Sequence, residues 1–142
     1  MKLLCSTKLP SLITAIGALP ILLYAVMPIA REIPAVFAQL YVYGVISFIA
    51  GINWITALKT NDYIMLFWSI LISTVPVFFF ILIFFLKFGP TFIWVMLIII
   101  LWLSLIYDFF NRKKFELKYF FCFRRSGTIF ITTSIILAMV LY

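Results

Sequence analysis

The sequence predicts an all-α protein, a polytopic transmembrane helical bundle of about five spans. Its N-terminus is expected on the cytoplasmic side and its C-terminus on the outer side. Of its 142 residues 67% are hydrophobic and 11% are charged, and the mean hydropathy is +1.28, whereas soluble domains are about 45–50% apolar. The apolar residues form runs near the roughly 20 residues that cross a bilayer. A single membrane domain covering 1–142 is therefore expected.

The first three predicted spans are separated by short polar or proline-containing turns. Span one covers 11–30, which is longer than the apolar region of about 7–15 residues in a secretory signal peptide. Span two, 36–57, ends before a polar run at 59–62. Span three, 63–86, contains Pro76, which is expected to break the helix.

The fourth and fifth predicted spans flank a segment rich in basic and aromatic residues. Span four, 91–107, follows a Gly-Pro turn and is closed by Asp108. Span five, 127–142, is shorter than the roughly 20 residues that a bilayer requires. We therefore expect it to begin earlier, near Phe120, or to require local thinning of the bilayer. The competing arrangement has four spans, with the last segment lying on the membrane surface.

The distribution of basic residues predicts the orientation of the spans. Positively charged residues accumulate in cytoplasmic loops. With the N-terminus inside, nine of the eleven Lys and Arg residues fall in cytoplasmic segments and two outside. The nine are Lys2, Lys8, Lys59, Arg112, Lys113, Lys114, Lys118, Arg124 and Arg125. The two outer ones are Arg31 and Lys87.

The segment 109–125 alternates basic and aromatic residues, which allows two interpretations. It is either a cytoplasmic loop or an interfacial segment whose rings lie at the acyl boundary. We favour the interfacial segment, because its apolar side chains would be costly in a free loop. In that case its cations contact anionic lipid head groups. The predicted contacts are Arg112, Lys113, Lys114, Lys118 and Arg125.

Span two carries the most distinctive residues of the chain. Small residues spaced along one helical face allow a neighbouring membrane helix to approach closely. The predicted helix-packing residues are Gly44, Ser47, Ala50, Gly51 and Trp54. Asn53 falls off this face and needs a polar partner in hydrocarbon. It either forms an interhelical hydrogen bond or lines a polar cavity.

The remaining polar residues offer little chemistry. Asp108 and Arg124 are placed to form an ion pair near the membrane interface, contributing about 1 kcal/mol. The chain has no histidine, and we find neither paired intramembrane carboxylates nor a Gly-rich phosphate loop. The sequence therefore predicts no catalytic residues, no cofactor and no metal. Nucleic acid is excluded as a partner, because the basic residues lie between apolar runs.

Several short motifs follow one another along the chain. They are Gly17-Ala-Leu-Pro20, Tyr43-Gly44 with Ser47-Phe48 and Gly51-Ile52-Asn53-Trp54, Val75-Pro76, Asp108, and Tyr119 to Arg124 with Thr128. In this order they resemble the domain-of-unknown-function 3429 family of membrane proteins, whose mitochondrial relatives are called transmembrane protein 69. The resemblance implies five spans and no reaction. Family members usually have His, Arg or Gln where this chain has Asn53, so a titratable role there is not implied.

Three functional classes are compatible with these features. The first is a non-enzymatic accessory, scaffold or assembly protein that packs against other membrane proteins or self-associates. The second is a small transporter or channel with a polar path near Asn53. The third is a lipid-modifying enzyme, for which no nucleophile or metal constellation is found. The expected location is a bacterial inner membrane, or the mitochondrial inner membrane if the protein is eukaryotic.

Overall fold

A computed structural model describes residues 8–27, 34–86, 89–115 and 120–141 of the chain. Helices are the only regular secondary structure in these residues. The predicted all-α class is therefore confirmed for the described residues. The five helices are α1 (Lys8–Val26), α2 (Ala35–Thr60), α3 (Tyr63–Leu86), α4 (Pro90–Phe110) and α5 (Phe120–Leu141).

Three of these helices are long and apolar enough to cross a membrane. They are α2, α4 and the part of α5 from Arg124 to Leu141. Shorter apolar stretches lie in α1, at Ile16–Val26, and in α3, at Tyr63–Phe78. Large apolar side chains are exposed along all five helices. An exposed apolar surface of this extent is typical of helices solvated by lipid.

One compact unit comprises Ala35–Leu101, which includes α2, α3 and the first half of α4. Helices α2 and α3 pack against each other, and the hydroxyl of Tyr43 donates to the carbonyl of Ser73 at 3.1 Å. Pro76 has no backbone N–H, so it cannot donate the hydrogen bond that other helical residues make to the carbonyl four positions earlier. Nevertheless α3 continues through Pro76 as a single helix, so the expected break there is wrong.

The connection between α2 and α3 is closed by local hydrogen bonds. Asn61 adopts a left-handed conformation, with φ of +52°, and its N–H donates to the carbonyl of Leu58. The N–H of Asp62 donates to the carbonyl of Ala57, which completes a Schellman motif. The Asp62 carboxylate then accepts the N–H of Met65 at 3.1 Å and caps α3. Two residues therefore suffice to reverse the chain.

A second compact unit comprises residues 1–34 and 102–142. Within its described part, α1 packs against α5. The buried residues of α1 recur every three to four positions, as do those of α5, so each helix presents one stripe to its neighbour. The stripe of α1 contains Ala18, Ile21, Tyr24 and Ala25. The stripe of α5 contains Thr128, Ile131, Thr132, Ile135 and Ala138.

Parts of the segment 109–125 belong to the flanking helices. Phe109 and Phe110 end α4, residues 111–114 form a turn, and α5 already begins at Phe120. The fifth helix therefore begins more than one helical turn before the predicted span 127–142. An earlier start was one of the expectations, because that span is short for a bilayer. Residues 116–119, including the predicted lipid contact Lys118, lie outside the described residues.

Candidate functional site

Four buried polar side chains form a closed cluster between the end of α4 and the start of α5. We call Ser104, Asp108, Arg124 and Thr128 the Arg124 cluster. Ser104 and Asp108 are four residues apart on α4, and Arg124 and Thr128 are four apart on α5. This spacing places each pair on one face of its helix. Hydrogen bonds from Arg124 to Asp108 and to Ser104 join the two pairs.

The guanidinium of Arg124 organises the cluster. Its Nε donates to Asp108 Oδ2 at 2.8 Å, its Nη1 to Thr128 Oγ1 at 2.9 Å, and its Nη2 to Ser104 Oγ at 2.6 Å. Each of the three nitrogens thus has a different acceptor. The planar fork of an arginine suits this arrangement, because one rigid group satisfies three directions at once.

Burial distinguishes this cluster from the surface ion pair that the sequence suggested. The structure does bring Asp108 and Arg124 together. However, Asp108 is 0% exposed and Arg124 is 6% exposed, so the value of about 1 kcal/mol for a solvent-exposed pair does not apply to this buried one. A buried pair compensates a large desolvation penalty, and removal of one partner leaves an unpaired charge.

The chemistry available to the cluster is limited by its closure. Ser104 lies against a guanidinium rather than a base, so its hydroxyl has no activated nucleophilic character. The Asp108 carboxylate accepts the hydrogen bond from Nε and is fully buried. A substrate has no open face from which to reach either group. The cluster joins the end of α4 to the start of α5 by hydrogen bonds.

Two members of the cluster were not predicted to take part in it. Ser104 was not singled out, and Thr128 was noted only for the family resemblance. The signal that identifies them is their spacing, because each is four residues from a charged residue and lies on its helical face. A charge in an apolar helix needs such neighbours.

The predicted helix-packing face of α2 is only partly used by the chain itself. Ala50 is buried, Ser47 and Gly51 are half-buried, and Gly44 and Trp54 are exposed. An added Cβ at Gly44 or Gly51 would meet no atom within 4 Å. Within the chain, α2 instead packs through the stripe of Val42, Ile46, Ile49, Asn53 and Ala57. That stripe lies about 120° around the helix from the small-residue face, at 100° per residue.

Asn53 lies in the packed stripe of α2, off the small-residue face as expected. Its side chain is 0% exposed, so it is packed away from solvent. Ser69 of α3, also buried, lies close to its height, because Tyr43 of α2 contacts Phe80 of α3 and the helices are antiparallel. A polar path near Asn53 receives no support from this environment.

The predicted lipid contacts differ from the Arg124 cluster in their exposure. Arg112, Lys113, Lys114 and Arg125 are all exposed. Among the described residues, no three His, Cys, Asp or Glu side chains are close enough to bind a metal ion together.

Comparisons of the chain with known protein families, with curated proteins and with solved structures found no match.

Proposed function

We propose that the chain is a five-span integral membrane protein with its N-terminus in the cytoplasm and residue 142 outside. The long apolar helices, the exposed apolar side chains and the basic residues after α4 support this topology. The resemblance to the domain-of-unknown-function 3429 family implies the same number of spans. The proposed location is a bacterial inner membrane, or the mitochondrial inner membrane in a eukaryote.

Reporter fusions test this topology. Alkaline phosphatase, which is active only outside the bacterial cytoplasm, is expected to be inactive when fused after Lys114 and active when fused after residue 142. Activity after Lys114 would reverse the proposed orientation. Inactivity at both positions would leave the α5 segment uninserted and would favour the four-span arrangement.

Within the membrane we infer a non-enzymatic role as an accessory or scaffold subunit that packs against a helix of another membrane protein. The observation that carries this inference is the small-residue face of α2. Gly44 is exposed, and the positions above Gly44 and Gly51 are open. The chain therefore leaves a surface of small side chains unfilled along one of its longest helices.

Such a surface suits a helical partner for a physical reason. Lipid chains are as apolar as leucine, so helices in a bilayer associate through close packing and not through the hydrophobic effect. Glycines spaced by seven residues, with a serine between them, allow two backbones to approach and to form weak Cα–H···O contacts. The ionisable groups of the Arg124 cluster already bind one another, which leaves packing as the specific interaction that the proposal invokes.

A photo-crosslinking amino acid at Gly44 or Gly51, introduced in native membranes, is expected to capture a discrete partner. The same probe at Leu103, an exposed residue of α4, is the position control. Gly44→Leu and Gly51→Leu are expected to abolish co-purification of that partner. They should change the stability of the isolated chain little, because an added Cβ at either position meets no atom within 4 Å.

Gly17→Leu is the matched substitution control, since Gly17 is also an exposed helical glycine with open space above it. The partner should persist in this variant. Crosslinks only between two copies of the chain would replace an accessory role by self-association. Equal capture from Leu103, or an unchanged complex in the Gly44 and Gly51 variants, would refute the proposed surface.

A further inference from the structure

The backbone of α3 is least constrained in the turn that precedes Pro76. This proline lies inside the helix and has no N–H to donate to the carbonyl of Ile72, four positions earlier. In the same turn, Ser73 Oγ and Thr74 Oγ1 both donate to the carbonyl of Ile70, at 2.8 and 2.9 Å. Hydroxyl hydrogen bonds of this kind bend helices. A missing backbone hydrogen bond and two bending contacts therefore coincide within two turns of α3.

Tyr43 of α2 contacts α3 on both sides of Pro76. Its hydroxyl donates to the carbonyl of Ser73 at 3.1 Å, three positions before the proline. Its ring meets the ring of Phe80 edge to face, with the centroids 6.3 Å apart, four positions after the proline. Membrane helices tolerate proline where a neighbouring helix binds the backbone groups around it. Tyr43 therefore supports this turn and ties both parts of α3 to α2.

The two parts of α3 are packed differently. We call residues 63–75 the first arm of α3 and residues 77–86 its second arm. The buried residues of the first arm recur every three to four positions and are Met65, Ser69 and Ile72. Among the described side chains of the second arm none is buried, and Phe80 is half-buried. A buried stripe thus holds the first arm, whereas the second arm is held in its described part through the contact between Phe80 and Tyr43.

We propose that Pro76 is a hinge and that Tyr43 is the latch that keeps it closed. The structure holds the closed state, in which the Tyr43 hydroxyl binds the carbonyl of Ser73. When this hydrogen bond breaks, the second arm moves away from α2 and the first arm stays in place. A single interhelical hydrogen bond and one ring contact then separate the two states, so the open state is a minor but accessible population. The hinge is independent of the proposed packing face of α2.

Distances between spin labels in lipid nanodiscs test the hinge. Labels attached through Leu40→Cys and Ile81→Cys, at exposed positions of α2 and the second arm, report on its movement. The labelled chain has its two native cysteines replaced by serine. Tyr43→Phe removes the hydroxyl and keeps the ring. It should raise the ratio of longer to shorter distances by about three- to tenfold, as expected for one interhelical hydrogen bond in a membrane protein.

A second pair of labels, through Leu58→Cys and Phe67→Cys, reports on the first arm at positions that are also exposed. Its distances should not change in Tyr43→Phe. An unchanged distribution at the second arm would overturn the latch. Equal broadening of both pairs would also overturn it, because α2 and α3 would then have loosened along their whole length.

Two further variants separate the roles of the proline and the hydroxyl. Pro76→Ala restores the backbone N–H, so the effect of Tyr43→Phe should disappear in the double variant. Broadening that persists there would overturn Pro76 as the hinge. Tyr63→Phe is the matched control, since Tyr63 is a tyrosine of the first arm that is 80% exposed. It should leave both distance distributions as they are in the unmodified chain, and broadening as large as that of Tyr43→Phe would overturn the role of the Tyr43 hydroxyl.

Discussion

Replacing Asp108 by leucine is expected to lower the free energy of unfolding by about 3–5 kcal/mol, the usual cost of removing one partner of a buried ion pair. The variant leaves the Arg124 guanidinium in an environment where only 6% of that residue is exposed. Arg124→Leu should act in the same direction, because Asp108 is fully buried. The measurement is equilibrium unfolding of the purified chain from mixed micelles by a denaturing detergent.

The double variant Asp108→Leu, Arg124→Leu is expected to lose less stability than either single variant. It removes both charges, so neither remains unpaired, and well-packed apolar residues can replace a buried ion pair with little loss. The released hydroxyls of Ser104 and Thr128 can donate to carbonyls of their own helices. If the stability lost in the double variant equalled the sum of the losses in the two single variants, the two residues would act independently. The conclusion that their ion pair joins α4 to α5 would then be wrong.

A smaller loss of stability is expected when a hydroxyl acceptor of Arg124 is removed. Thr128→Val removes the acceptor of Arg124 Nη1 and should cost about 1.5–3 kcal/mol, the range for a hydrogen bond to a charged group. Thr133→Val is the matched control, because Thr133 is exposed and donates to the Ile129 carbonyl of its own helix. Its effect should stay within about 0.5 kcal/mol. Similar losses in both variants would mean that Thr128 contributes no more than a generic threonine.

Helix positions could be predicted from the sequence because apolar run length and turn chemistry are local. The polar run at 59–62 was expected to end the second span, and the structure ends α2 at Thr60 and caps α3 with Asp62. The start of α5 was less certain. The residues at 120–125 were assigned to the favoured interfacial segment, because their side chains suit the head-group region whether or not the backbone is helical.

The burial of the Arg124 cluster could not be predicted in the same way. In a single sequence, a charged residue beside an apolar run is interpreted as the end of a span, since a lone charge in hydrocarbon is costly. Here Arg124 begins the part of α5 that is apolar enough to cross a membrane, and a carboxylate and two hydroxyls compensate it. Ser104 contributes to that compensation through a contact between residues twenty positions apart. Its spacing from Asp108 places it on the same helical face but does not determine that contact.

The packing of α2 shows a different limit. Helical projection correctly separated Asn53 from the small-residue face. It could not tell which face packs within the chain, because in lipid both small and large apolar side chains are compatible with helix contacts. The structure uses the stripe through Ile46 and Asn53, while Gly44 stays exposed. That choice depends on α3, whose short connection at Asn61 and Asp62 places it beside this stripe.

Asn53→Asp is expected to destabilise the chain by several kcal/mol, the effective penalty for burying one ion. The substitution keeps the shape of the side chain and adds a charge where 0% of the residue is exposed. Asn53→Leu, which removes the polar group, should cost only about 1 kcal/mol, as for one interhelical hydrogen bond in a membrane protein. Both are measured by the same detergent unfolding at pH 7.

The order of these two effects separates a packed asparagine from one that lines a polar path. In a water-filled path the carboxylate would stay hydrated, so Asn53→Asp would be tolerated and Asn53→Leu would obstruct the path without a large change in stability. In a packed stripe the aspartate is the damaging variant, because position 53 is fully buried. If the Asn53→Asp variant were as stable as the unmodified chain, a transporter or channel with a polar path near Asn53 would become the favoured function. A loss of several kcal/mol would leave Asn53 as a packing residue of α2.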